Sequence, residues 1–134
     1  MKTVLVDANL LLRFLTNDVP AQAERVQKRL KEAEKGKLNL VLLPLTVMEV
    51  VFHLEHWYHF TKEEVRDKLL ILFSPEWIHV EHKAAVFSAL RVYAQKNIDF
   101  VDIFLWSIAA HEQRGILSFD KDFDKLEPRI RMEP

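Results

Sequence analysis

The stretch KTVLVDANLLLRF, residues 2–14, decides the fold. Val4-Leu5-Val6 is a short continuous apolar run, the mark of a strand buried on both faces. It stops at Asp7, and NLLLRFLTND (residues 9–18) reads at once as a short helix. A strand that hands over directly to a helix is half of a β–α–β unit, and the rest of the chain continues the alternation. Residues 21–35 place Ala23, Val26, Leu30 and Ala33 at helical spacing, an amphipathic helix that ends at Gly36. LNLVLLP (residues 38–44) is a second buried strand stopped by Pro44, and residues 45–59 form a helix rich in apolar side chains. Thr61 and Glu64 make a capping box that opens a helix through Phe73. WIHVE (residues 77–81) is a third strand, followed by a helix over 82–96. Asp99 caps a helix from Phe100 to Arg114, which Gly115 closes. ILSFD (residues 116–120) is a fourth strand, KDFDKL a helical turn, and PRIRM (residues 128–132) an edge strand. The pattern predicts an α/β fold: a three-layer α/β/α sandwich around a central, mainly parallel sheet of four to five strands. A length of 134 residues without linker or repeat predicts one domain over 1–134.

Composition removes several function classes. The absence of Cys eliminates disulfide frameworks, thiolate zinc sites and thiol nucleophiles, and fits a reducing cytoplasm. Only two glycines, Gly36 and Gly115, leave no phosphate loop or dinucleotide fingerprint. No run approaches the ~18–20 uncharged apolar residues of a membrane span, so no membrane association is expected. A net charge of −1 gives no overall basic field for coating nucleic acid. An enzyme that grips nucleic acid locally stays open.

Parallel sheets bind ligands beyond the carboxyl ends of their strands. Asp7 follows the first strand and Asp120 ends the fourth-strand motif. Glu49 lies early in the helix entered from the second strand, and Asp102 lies in the first turn of its own helix. All four acids are therefore expected at one edge. Each has a blander reading: Asp7 as a helix cap, Glu49 and Asp102 as first-turn acids favoured by the helix dipole. Yet Glu49 is the only ionisable residue in LPLTVMEVVF (residues 43–52), and Asp102 is the only charge in FVDIFLWSIAA (residues 100–110). An acid ringed by core residues needs a partner, and neither window supplies a Lys or Arg. Mg²⁺ or Mn²⁺, which prefer oxygen ligands, would serve all four together.

These segments, VLVDANLLLRFL, LTVMEVVFHLEHWY, DFVDIFLWSIA and ILSFDKDF, resemble the PIN-domain ribonucleases, and among them the VapC-type toxins of bacterial and archaeal toxin–antitoxin pairs. The resemblance spans nearly the whole chain, in the family's order. It implies an endoribonuclease dependent on one or two Mg²⁺ or Mn²⁺ ions per active site, with Asp7, Glu49, Asp102 and Asp120 as catalytic and metal-binding acids. Whether Glu49 would be a ligand or a base stays open. Asn9, Asp99, Ser118 and Asp122 match auxiliary positions. The resemblance also implies an RNA substrate, a cognate antitoxin whose tail covers the acidic pocket, and a homodimer. The chain departs from the family's pattern at Ala8, where many relatives carry Thr, and at Ile103 and Trp106, where residues are usually smaller.

Other features weigh less. His53, His56 and His59 recur every three residues, and His53 shares a helix face with Glu49, within reach of a substrate phosphate. Arg13 and Lys121 lie beside acid-bearing segments and suit RNA backbone contacts, as does Lys125. The alternating charges from Arg25 to Lys37 read as a solvated helix face. Phe52, Trp57, Tyr58 and Phe60 offer a groove for a partner helix. The competing readings are a PIN-like interaction module that has lost catalysis, a stand-alone PIN nuclease without antitoxin, a flap-type DNA nuclease, and a receiver or phosphatase domain. Asn9, two residues after Asp7 where a phosphatase wants a second acid, counts against the last.

Overall fold

The structure, a computed structural model, describes residues 1–134. The chain divides into two compact units, Met1–Glu81 and His82–Pro134.

In the first unit, strands β1 (Lys2–Leu5), β2 (Leu38–Leu42) and β3 (Ile78–Val80) form a parallel sheet in the order β1-β2-β3. The register pairs Val4 with Leu40 and Leu42 with Val80. Parallel neighbours need long crossovers, and helices supply them. α1 (Ala8–Thr16) and α2 (Pro20–Glu34) connect β1 to β2, and α3 (Pro44–His56) and α4 (Lys62–Phe73) connect β2 to β3. α2 buries Ala23, Val26, Leu30 and Ala33, the stripe its spacing predicts. Gly36 closes it in the left-handed region, φ 77°. Pro44 does more than stop β2: it opens α3 at a first-turn position, where a missing N–H costs nothing. The Thr61–Glu64 capping box is formed in both directions, at 3.1 and 3.0 Å. It starts α4, whose Val65, Leu69 and Phe73 are fully buried at helical spacing.

Two expectations here need correction. β1 is not buried on both faces. Val4 and Val6 point to the covered face, half-buried and buried, whereas Thr3 and Leu5 point to the other, where Leu5 is 64% exposed. Nor is Glu49 ringed by core. α3 buries Thr46, Val47, Val50, Val51 and Leu54, and the helical rotation turns Glu49 outward, away from that buried face. Neighbours in sequence are not neighbours on a helix face.

In the second unit, α5 (Lys83–Tyr93) packs on α6 (Phe100–His111), and β4 (Ile116–Leu117) pairs in parallel with β5 (Arg131–Met132) around a 3₁₀ turn, Lys121–Lys125. An aromatic ladder joins the helices, with Tyr93 edge-on to Phe100 at 5.6 Å and Phe100 stacked on Phe104 at 6.3 Å. The fully buried Ser107 donates to the Ala85 carbonyl at 2.8 Å. Trp106, one of the departures from the family pattern, is 5% exposed and donates its indole N–H to the Pro128 carbonyl at 3.0 Å. Its bulk thus fills the space between α6 and the C-terminal segment.

α6 is not buried all round, because Val101 and Leu105 are 55% and 49% exposed. The left-handed position after it is taken by Gln113, φ 56°, not by Gly115. Gly115 is required for closeness instead: a Cβ there would meet the Ile130 carbonyl oxygen at 3.3 Å. The α/β class and the parallel pairing are as expected. The strands divide three and two where a single sheet of four to five was anticipated. β4 and β5 hold two residues each, and such short ladders recruit only one another.

Candidate metal centre

The acids of the first unit stand where β1 and β2 release the chain. Asp7 occupies the N-cap position of α1 with extended backbone, φ −87° and ψ 152°, but its side chain makes no capping hydrogen bond. The blander capping reading of Asp7 is therefore not taken up, and the carboxylate is left exposed and uncommitted. A buried contact fixes this corner: the Thr46 hydroxyl, in the first turn of α3, donates to the Val6 carbonyl at 3.2 Å. Val6 in turn donates its N–H to the Val41 carbonyl at 3.0 Å. Glu49 lies one turn beyond Thr46 on α3. One hydroxyl therefore ties the residue before Asp7 to the helix that carries Glu49. Thr46 is inconspicuous in the sequence; a Thr two residues after Pro44 in an apolar run is its only signal.

The second unit brings four acids together. Asp102, in the first turn of α6, is half-buried, and its carboxyl is pushed above the usual range. Burial is the largest cause, followed by the charges of Asp120, Asp99 and Asp122. Asp99 takes the N-cap position of α6, φ −61° and ψ 143°, but it too makes no side-chain capping bond, against expectation. Asp120 is held by its surroundings. Its N–H donates to the Ser118 hydroxyl at 2.9 Å, and its carboxylate accepts from the Asp122 N–H at 2.9 Å. Asp122 pairs with Lys125 at 2.9 Å, so neither is a free charge.

Beside this cluster lies a residue that the sequence did not flag. Arg131, at the start of β5, has a side chain only 8% exposed. It grips Asp124 with two bonds of 2.9 and 3.1 Å, and donates to the Ser118 carbonyl at 3.0 Å and to Glu133 at 2.8 Å. The guanidinium braces both ends of the turn that presents Asp120, and these partners raise its own pKa further. An Arg inside a C-terminal strand motif gives no hint of this in sequence.

The remaining candidates are less committed to the site. Arg13 pairs with Asp18 at 3.1 Å and also donates to Gln22 and Tyr58, so much of its charge is spent within the first unit. His53 holds the Glu49 carbonyl through Nδ1 at 2.7 Å and stacks on Trp57, so Nε2 is the ring nitrogen not engaged in that bond. Lys121 is exposed on the 3₁₀ turn, and Asn9 is exposed in the first turn of α1. Of the aromatic set, Phe52 and Trp57 are exposed, but the Tyr58 hydroxyl is occupied by Asp18 at 2.8 Å.

No group of three or more His, Cys, Asp or Glu side chains forms a ready-made cation cage. What fits a hard divalent cation is the chemistry of the donors. None of Asp7, Glu49, Asp102 and Asp120 is engaged in an ion pair. Asp102 sits among like charges; Lys125 offsets Asp122, but no cation pairs with Asp102 itself. Mg²⁺ characteristically takes few carboxylates and completes its shell with water and substrate phosphate.

Comparison with known proteins gives a consistent answer. The family described as "PIN domain" matches residues 4–127. Among curated proteins, the chain is 26% identical over 124 residues to a protein named VapC ribonuclease from Aquifex aeolicus (strain VF5). That alignment covers 91% of this chain and 90% of the other.

Proposed function

The chain belongs to the PIN-domain family, and from that premise we propose that it is a metal-dependent endoribonuclease and the toxin of a toxin–antitoxin pair. The observation that carries the reading is Asp102, half-buried among the charges of Asp120, Asp99 and Asp122 with no cation paired to it. The relative named VapC ribonuclease supports RNA as the substrate, and the cognate antitoxin follows from the resemblance to the VapC-type toxins.

In this reading Asp7, Glu49, Asp102 and Asp120 hold one or two Mg²⁺ or Mn²⁺ ions within a single catalytic module over 1–134. A bound divalent ion supplies an activated water near neutral pH and offsets charge at the scissile phosphate. The chain's own residues do the rest. Ser118 and Arg131 fix the backbone that presents Asp120, and Thr46 fixes the start of α3 against the residue before Asp7. Asn9 and Asp99 stand close in sequence to these acids and orient water, and Asp122 anchors the turn through Lys125. His53 Nε2 and Lys121 contact the substrate backbone. No helix is long and apolar enough to cross a membrane; in this reading, as the resemblance implies, the chain acts in the cytoplasm as a homodimer.

The test is cleavage of single-stranded RNA by the purified chain with Mg²⁺ or Mn²⁺ and with EDTA. Cleavage should require the metal and fall at least about 100-fold in Asp7→Asn and in Asp102→Asn. Equal cleavage by the wild type and both variants would end the catalytic reading.

A further inference from the structure

We propose that the groove between α1 and α2 is a track for the phosphate backbone of single-stranded RNA, running up to Asn9 beside Asp7. The proposal rests on the ribonuclease reading and adds where the substrate lies. The groove has a volume of about 510 Å³. Its lining carries four cations, Arg13, Arg25, Lys28 and Arg29, against one carboxylate, Glu32. In a chain of net charge −1, that is a local concentration of positive charge and not a share of a general field. Two of the four are already partnered, Arg13 with Asp18 at 3.1 Å and Arg29 with Glu32 at 3.0 Å. Arg25 and Lys28 are exposed and enter no ion pair. They stand three residues apart on one rigid helix, so their charges flank the groove one turn from each other. This stretch is thus more than a solvated helix face.

The lining also says which ligand fits. Its only apolar members are Leu10 and Val26, and Val26 is itself 7% exposed. A partner helix seats several apolar side chains along a groove; here the apolar lining beyond Leu10 and Val26 is the aliphatic stems of long polar side chains. No aromatic side chain lines it, so bases find no stacking platform. What remains is contact with phosphates, which positions a strand without reading its sequence. Asn9 belongs to the lining and Asp7 is the N-cap residue of the same helix, so the groove and this acid share the N-terminal end of α1.

The experiment measures binding of labelled oligouridylate and oligoadenylate to the full chain in EDTA, across a series of salt concentrations, for wild type and the Arg25→Ala/Lys28→Ala double variant. Both residues are exposed, so the melting temperature should not move. Affinity should fall at least about tenfold, equally for both oligonucleotides. The slope of log K against log salt should shrink by about 1.4, at about 0.7 for each phosphate no longer neutralised. Unchanged affinity and slope in a variant chain that still cleaves RNA would overturn the groove and leave the catalytic reading standing. Sensitivity to the two substitutions for an acidic peptide but not for RNA would overturn it in favour of a protein partner. A wild type that neither binds nor cleaves RNA would remove both readings. Retained, charge-dependent binding by Asp102→Asn without cleavage would support the groove separately from the chemistry.

Discussion

Asp102 shows how function and stability pull against each other at one side chain. Burial and three neighbouring carboxylates hold its pKa above the usual carboxylate range. The folded protein therefore binds this proton more tightly than the unfolded chain does. The associated stability is fully present below the unfolded value and is lost as pH rises through the folded one. In EDTA, Asp102→Asn should thus be more stable than the wild type at neutral pH, with a gap that widens as pH rises from the ordinary carboxylate range towards neutrality. Melting temperatures of the two proteins across that range check this, and a gap independent of pH would exclude it. Asp102 is legible in the sequence because a lone acid in an apolar helix is a conspicuous anomaly. The same logic selects Glu49 for a wrong reason. Its apolar neighbours belong to the buried face of α3, and the acid itself is turned away from it.

At the scale of elements, helices are more legible than strands. A stripe such as Ala23, Val26, Leu30 and Ala33 identifies a buried face because its period is local to the helix. Burial of a strand depends on what packs over each face, and nothing in KTVLV states that the face carrying Leu5 is left open. Capping residues divide in the same way. Thr61 caps as its motif says, whereas Asp7 and Asp99 hold capping positions without spending their carboxylates there. The turn between β4 and β5 is the least legible element, because its organiser, Arg131, lies beyond it in sequence. Arg131 bonds Asp124 at one end of the turn and the Ser118 carbonyl at the other. Arg131→Ala should lower the melting temperature and weaken the apparent Mg²⁺ affinity in cleavage by about 10–100-fold, the scale seen when groups that orient metal ligands are removed. Arg131→Lys keeps the charge but not the two-pronged grip, so it should recover only part of the deficit. Metal titrations of cleavage for the two variants make the measurement. A drop in stability with unchanged metal dependence would reduce Arg131 to a purely structural role.

Across the whole molecule, the near-neutral net charge conceals two opposed local fields. Carboxylates gather where a cation is proposed to bind, and unpaired cations line the groove proposed for RNA. Within the acidic field Lys125 offsets Asp122, but no cation pairs with Asp102, so the ion should act as a folding ligand as well as a cofactor. A ligand that binds only the folded state adds stability by mass action, about 2.7 kcal/mol at a concentration about 100 times its dissociation constant. Mg²⁺ should therefore raise the melting temperature of the wild type progressively and saturably. Single Asn substitutions at Asp7, Asp102 and Asp120, and Gln at Glu49, should each flatten that rise. The four acids come from widely separated parts of the sequence, two in each compact unit. Thermal melts over a Mg²⁺ series, wild type against each variant, then ask whether they serve one ion-binding function. A rise abolished only by the second-unit substitutions would confine the centre to the Asp102 cluster and dismiss Asp7 and Glu49 as ligands.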